Sequence, residues 1–124
     1  MSYDISIGTF ERNYTSNRAD LYRDHFPGGE RLDENGVLTT VPAGLDAIHD
    51  KTGREAGEIL LEMISAINDT RIRLGNDRVK GDQPICDQYD SPNGWGSLVG
   101  QLIFLGEIAA ACAMHPDEKV FVCS

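Results

Sequence analysis

The stretch Asn93-Gly94-Trp95-Gly96-Ser97-Leu98-Val99-Gly100-Gln101-Leu102-Ile103-Phe104-Leu105-Gly106-Glu107-Ile108-Ala109-Ala110-Ala111-Cys112-Ala113-Met114-His115-Pro116 decides how this chain is read. From Leu98 to Met114 apolar residues run almost unbroken, with Gln101 and Glu107 as the polar interruptions. A helix apolar nearly all round is buried, in a protein or in a membrane. Gly100, Gln101, Gly106 and Glu107 break the run before it reaches the roughly eighteen apolar residues that a span needs. The stretch therefore predicts a central core helix of a soluble domain.

Working outward, the chain of 124 residues is long enough for one domain with a real core. Its composition, 40% hydrophobic and 25% charged, is that of an ordinary globular protein. Twenty acidic against eleven basic residues give a formal charge of −9. Such a surface repels nucleic acid and anionic membrane and favours a basic partner. Cys86, Cys112 and Cys123 make an odd count without a C-x-x-C, which signals neither a disulfide framework nor a thiolate zinc site. Met1-Ser2-Tyr3-Asp4-Ile5 lacks the basic and apolar regions of a leader, so the expected location is the cytoplasm. Asn13-Tyr14-Thr15 and Asn68-Asp69-Thr70 match the glycosylation pattern, which a chain that is not secreted cannot use.

Tyr3, Ile5 and Ile7 alternate with Asp4 and Ser6, the period of a half-buried strand that Gly8-Thr9 ends. Ser16 or Asn17 caps a short helix through Phe26, with Ala19, Leu21 and Tyr22 inward, and Pro27-Gly28-Gly29 stops it. Asp33-Glu34-Asn35-Gly36 is a turn, and Val37 to Val41 is either a short strand or an ordered loop. Leu45 and Ile48 suggest one or two helical turns before Asp50.

Thr52-Gly53-Arg54-Glu55 has the form of a capping box, in which the hydroxyl accepts from a free amide while Glu55 reaches back. The helix it opens places Ala56, Ile59, Leu60, Met63, Ile64 and Ile67 on one face and ends at Gly75. Residues 75 to 93, rich in Gly, Pro and Asn, read as a long surface loop. After Pro116-Asp117, Val120-Phe121-Val122 forms a closing strand that pairs with the N-terminal one, since either alone would leave an exposed edge. The fold class expected is α+β in a single domain: a small sheet of the terminal strands, with 37–41 as a candidate third, on three to four helices.

Asn13-Tyr14-Thr15, Gly44-Leu45, Lys51-Thr52-Gly53 with Glu55-Ala56, Asn93-Gly94-Trp95-Gly96, and Cys112 with His115-Pro116-Asp117 occur in this order. In them the chain resembles a set of small proteins encoded by phages and prophages, chiefly of actinobacteria, that carry no assigned activity. The resemblance spans residues 9 to 122, with 28–42 and 75–88 departing from the pattern. It implies the setting of a phage accessory gene and brings no catalytic residues.

No phosphate loop, dinucleotide fingerprint, nucleophile elbow or H-E-x-x-H occurs. Asp46 one turn before His49 offers a carboxylate that holds the imidazole charged. Cys112 and His115 are three apart, close enough to share a metal, although His115 serves equally as a cation at a helix C-terminus and Cys112 as an inert buried thiol. Asp87, Asp90 and Asn93-Gly94 lack the spacing and terminal Glu of a calcium loop. No cofactor, metal or catalytic residue is expected.

Trp95 is either a lid on the core or an exposed binding anchor. At about 100° per residue, Glu55, Glu58, Glu62 and Asp69 fall within about 60° of one another, on the side away from the apolar stripe. Like charges one turn apart weaken a helix slightly, so this row does not serve helix stability. Either it is a solvated face or it imitates a row of phosphates before a nucleic-acid-binding protein, with Arg73 on the same side breaking its sign. The leading expectation is a non-enzymatic phage accessory protein that binds and modulates a host protein, including a nucleic-acid-binding or defence protein. Its candidate partner-binding residues are Glu55, Glu58, Glu62, Asp69 and Trp95. The alternatives are a small enzyme or metal-binding protein using His49, Cys112 or His115, and a homo-oligomer that buries the Trp95 region.

Overall fold

The alternation at the N-terminus forms strand β1 (Ser2–Ile7), in a computed structural model that describes residues 2–15, 19–77 and 98–123. Tyr3, Ile5 and Ile7 are buried on its inner face. Gly8, at φ +57°, turns the chain through a two-residue connection into β2 (Phe10–Thr15). Among the described residues the architecture is α+β: three α-helices, a three-stranded antiparallel sheet in which β1 lies between β2 and the C-terminal strand, and a separate two-stranded ribbon.

Strand β5 (Phe121–Cys123) pairs with β1, as the terminal strands were expected to do. The other edge, β2, is a strand that the alternation did not reveal. Its inward position opposite Ile5 is held by Arg12, whose Nε donates to Glu107 Oε2 at 2.7 Å. An inward charge on an edge strand breaks the apolar period and also discourages edge-to-edge pairing.

Helix α1 (Ala19–His25) buries Leu21 and Tyr22, and the positions proposed for its cap, Ser16 and Asn17, lie outside the described residues. The chain then forms a hairpin of β3 (Gly29–Leu32) and β4 (Leu38–Val41). Asp33 Oδ1 accepts from the amides of Asn35 and Val37, each at 2.9 Å, and Gly36 takes φ +79°. That is the turn read at 33–36. Residues 38–41 do form a strand, but it does not join the terminal sheet. Its partner β3 is a run of Gly, Glu, Arg and Leu with no periodic signature of its own.

A 3-10 helix (Gly44–Ile48) buries Leu45, Ala47 and Ile48 ahead of α2 (Gly53–Asp77). In α2 the residues Ala56, Ile59, Leu60, Met63 and Ile67 are fully buried. Half of the anticipated capping box forms: Glu55 N–H donates to Thr52 Oγ1 at 3.3 Å, with no return bond to the Thr52 amide. Residues 116–118 supply the rest of the cap. Gly53 N–H donates to Glu118 O at 2.8 Å and Arg54 N–H to Pro116 O at 3.0 Å. These bonds satisfy amides that an isolated helix leaves orphaned.

Helix α3 (Leu98–Met114) packs along α2 and beneath the sheet, burying Gln101, Phe104, Leu105, Ile108, Ala111 and Cys112. The Tyr22 hydroxyl donates to Gln101 Oε1, which explains how an amide is tolerated in that interior. The expectation of a helix buried all round needs correction. Ile103 is 58% and Met114 79% exposed, and Gly106, Ala110 and Ala113 are exposed with them. At about 100° per residue these form one outer stripe. The helix has two apolar faces, and only one is covered among the described residues. Leu102 is partly buried and Leu105 fully so.

Candidate functional site

A groove of about 1120 Å³ lies between the ribbon and the outer face of α2. One wall is the unbroken main-chain run from His25 through Leu32, to which β4 adds only Val41. The other wall is Glu58, Leu61, Glu62, Ser65, Ala66 and Asp69 of α2.

Local interactions fix both walls. His25 Nδ1 donates to Leu21 O at 2.8 Å, and its Nε2 lies 2.6 Å from Thr70 Oγ1, which ties the end of α1 to α2. The Arg31 guanidinium spans the groove to Glu62 at 2.6 Å and lies 5.9 Å from the centroid of the buried Phe26 ring. At the hairpin turn Thr52 Oγ1 donates to Glu34 Oε1 at 3.1 Å, and Arg54 lies between Glu34 at 3.6 Å and Asp117 at 3.0 Å. The ribbon is thus tethered to α2 near both of its ends.

The acidic row of the sequence is divided by this arrangement. Glu58, Glu62 and Asp69 are exposed on the groove wall, but Glu55 does not stand with them. It is 8% exposed, and its buried Oε1 has no hydrogen-bond partner among the described residues, with Lys51 Nζ 3.7 Å away. Glu55 lies at the edge of the apolar stripe, beside Thr52 and Lys51. Glu62 is paired with Arg31. Glu30, Glu58 and Asp69 have no ion-pair partner among the described residues. Trp95, Cys86 and the 78–97 segment, including Asp87 and Asp90, lie outside the described residues.

The remaining candidates take structural roles. The His49 ring accepts the Val122 amide at Nδ1, 3.0 Å away, and meets Phe121 edge-on at 6.2 Å, so it secures β5. Asp46 does not bond its imidazole; the link between the two residues is His49 N–H to Asp46 O. His115 Nδ1 faces Glu118 Oε2 at 3.1 Å. Burial pushes the Cys112 thiol up to about 11, which keeps it protonated and unreactive near neutrality. Among the described residues no group of three potential ligands could hold a metal ion, and no helix is long and apolar enough to cross a membrane.

Sequence reasoning reached three groove residues, Glu58, Glu62 and Asp69, and missed the opposite wall. One signal was present: at about 100° per residue Leu61 stands about 140° from the centre of the stripe formed by Ala56, Ile59, Leu60, Met63 and Ile67, so an apolar side chain is placed on the outer face. Leu61 is 61% exposed beside the acids. No protein-family model, curated protein or solved structure matches the chain.

Proposed function

We propose that this protein is a non-enzymatic binding protein that seats a basic segment of a host protein in the groove between the ribbon and α2, consistent with the phage accessory setting that its motifs resemble. The carrying observation is a groove whose α2 wall holds two exposed carboxylates, Glu58 and Asp69, without ion-pair partners among the described residues. Lysines or arginines entering there meet the negative potential of the α2 wall, and Arg31, the one arginine among the described lining residues, is already paired with Glu62. The structural engagement of His25, His49, His115 and Cys112 supports binding over catalysis.

The test is capture from host lysate at low salt, where charge attraction is least screened, on wild-type protein and on a Glu58→Lys/Asp69→Lys variant side by side. A protein retained by the wild type and released by the variant supports the reading. Equal retention on both would overturn it, provided that circular dichroism shows the variant folded.

Self-association is a second reading, favoured by the outer stripe of α3. Ile103, Ala110 and Met114 present an apolar surface that a second copy would cover. Sedimentation equilibrium decides it: a dimer that Ile103→Glu converts to monomer supports this reading, and a monomeric wild type rejects it.

A further inference from the structure

We infer that the partner segment binds as an added β-strand on the free edge of β3, with basic residues at alternate positions turned toward α2. This rests on the reading of the groove as a binding site and adds the conformation and side-chain pattern of its occupant.

Four observations lead there. First, among the described residues β3 has one neighbour, β4, with which it forms a two-stranded sheet. In an antiparallel ladder, residues that bond across alternate with residues that point away. Asp33 N–H donates to Val37 O at 2.8 Å, which sets the phase of the alternation. By the register, Arg31 opposite Thr39 and Gly29 opposite Val41 then bond inward. The main-chain groups of Glu30 and Leu32 therefore point off the edge, where no described residue pairs with them.

Second, that edge lines the groove. Consecutive residues of β3 border it while β4 contributes one, an arrangement that arises only if β3 is the nearer strand. Third, the lengths agree. Glu58 to Asp69 is eleven residues of helix, about 16 Å at 1.5 Å per residue, which a strand of about five residues spans. Fourth, the charges specify a pattern. Arg31 lies on the ribbon face that meets α2, and Glu30 and Leu32 lie on the opposite face. A strand added beside β3 continues both faces. Its inward residues come opposite Glu58 and Asp69 and are basic; its outward residues flank Leu32, 63% exposed, and are apolar. Main-chain bonds supply affinity and the alternation supplies selectivity, as in other strand-addition sites. The third strand also completes a ribbon that two strands alone hold only marginally.

The experiment uses the full chain and three synthetic probes, followed by amide NMR. The first is the capped pentapeptide Lys-Val-Lys-Val-Lys. The second has the same composition in the order Lys-Lys-Lys-Val-Val. The third is the alternating peptide N-methylated on the amides that would bond β3. The alternating peptide is expected to slow hydrogen exchange at the Glu30 and Leu32 amides on the order of tenfold, with little change at Arg31, which is already bonded. The reordered and methylated peptides should bind on the order of tenfold more weakly. Glu58→Lys/Asp69→Lys should weaken the alternating peptide alike. If all three peptides bind equally and the variant weakens all of them, strand addition is overturned while the acidic groove stands. If none binds, or binding ignores the variant, the groove reading falls together with the inference.

Discussion

Helices α2 and α3 lie against each other, and the contrast between their outer faces is the main lesson of this molecule. The inner faces are alike, each a row of fully buried apolar side chains. Outside, α2 shows Glu58, Glu62 and Asp69, and α3 shows Ile103, Ala110 and Met114. In α2 composition and burial change together around most of the helix, with Leu61 exposed and Glu55 buried as exceptions. In α3 they do not: the apolar content continues through the surface. Hydrophobicity identifies residues that gain from burial, but a neighbour on that side decides whether they are buried.

The sharpest way to break this contrast is to truncate α3 on each side. Leu105→Ala, on the buried side, should cost about 3 kcal/mol in denaturant unfolding, through lost transfer energy and a cavity. Ile103→Ala, on the outer side, should cost under about 1 kcal/mol. Comparable losses at both positions would show that the outer stripe is covered after all.

Next in size is the junction of the two helices. A Cβ added at Gly53 would lie 2.2 Å from His115 O and 2.6 Å from Cys112 O, both backbone atoms that cannot swing aside. Gly53→Ala should therefore destabilise by about 2–3 kcal/mol. One turn on, a Cβ at Gly57 meets only Cys112 Cβ at 3.8 Å, an ordinary contact. Gly57→Ala should stabilise by about 0.5–1 kcal/mol through helix propensity. Thermal melts of the pair measure how closely α2 and α3 approach at that end.

A smaller effect reports on the buried seam. Burial raises the Cys112 thiol from 9.0 to about 11, so the unfolded chain loses its proton first as pH rises. The associated stability is fully present below pH 9 and is lost between pH 9 and about 11. Tyr3, raised chiefly by burial and further by Asp46, adds a second loss that begins as pH rises past its ordinary value of 10.0. Denaturation midpoints across this range should fall in the wild type, and Cys112→Ala should remove the first part of the decline and leave the second.

Smallest of all is the outer face of α2. Glu58→Gln should change stability by no more than about 0.5 kcal/mol, since the carboxylate is exposed and unpaired among the described residues. A larger loss in urea titration would mean that Glu58 supports the fold, and would weaken its assignment to binding.

How much could be read beforehand follows from the kind of signal each element carries. β1, α1, α2 and the Asp33–Gly36 turn declare themselves by period, stop residues and turn chemistry. β2 and β3 are hidden because charged residues occupy the positions an apolar period would fill: Arg12 faces inward to meet Glu107, and Arg31 crosses to Glu62. Glu55 illustrates the converse. Its angle on the helix wheel matched its acidic neighbours, but at the start of α2 it is buried beside Thr52 and Lys51.

By itself the sequence determined the class of the fold, the faces of α2, the turn chemistry and the acidic balance, because these depend on residues within a few positions of one another. Only the tertiary structure decided which side of α3 is covered, which acids share a groove, and that the opposite wall is a strand with an open edge. Those outcomes depend on pairings between distant segments, Arg31 with Glu62 or Gly53 with the end of α3, and local periodicity carries no information about which distant segment arrives.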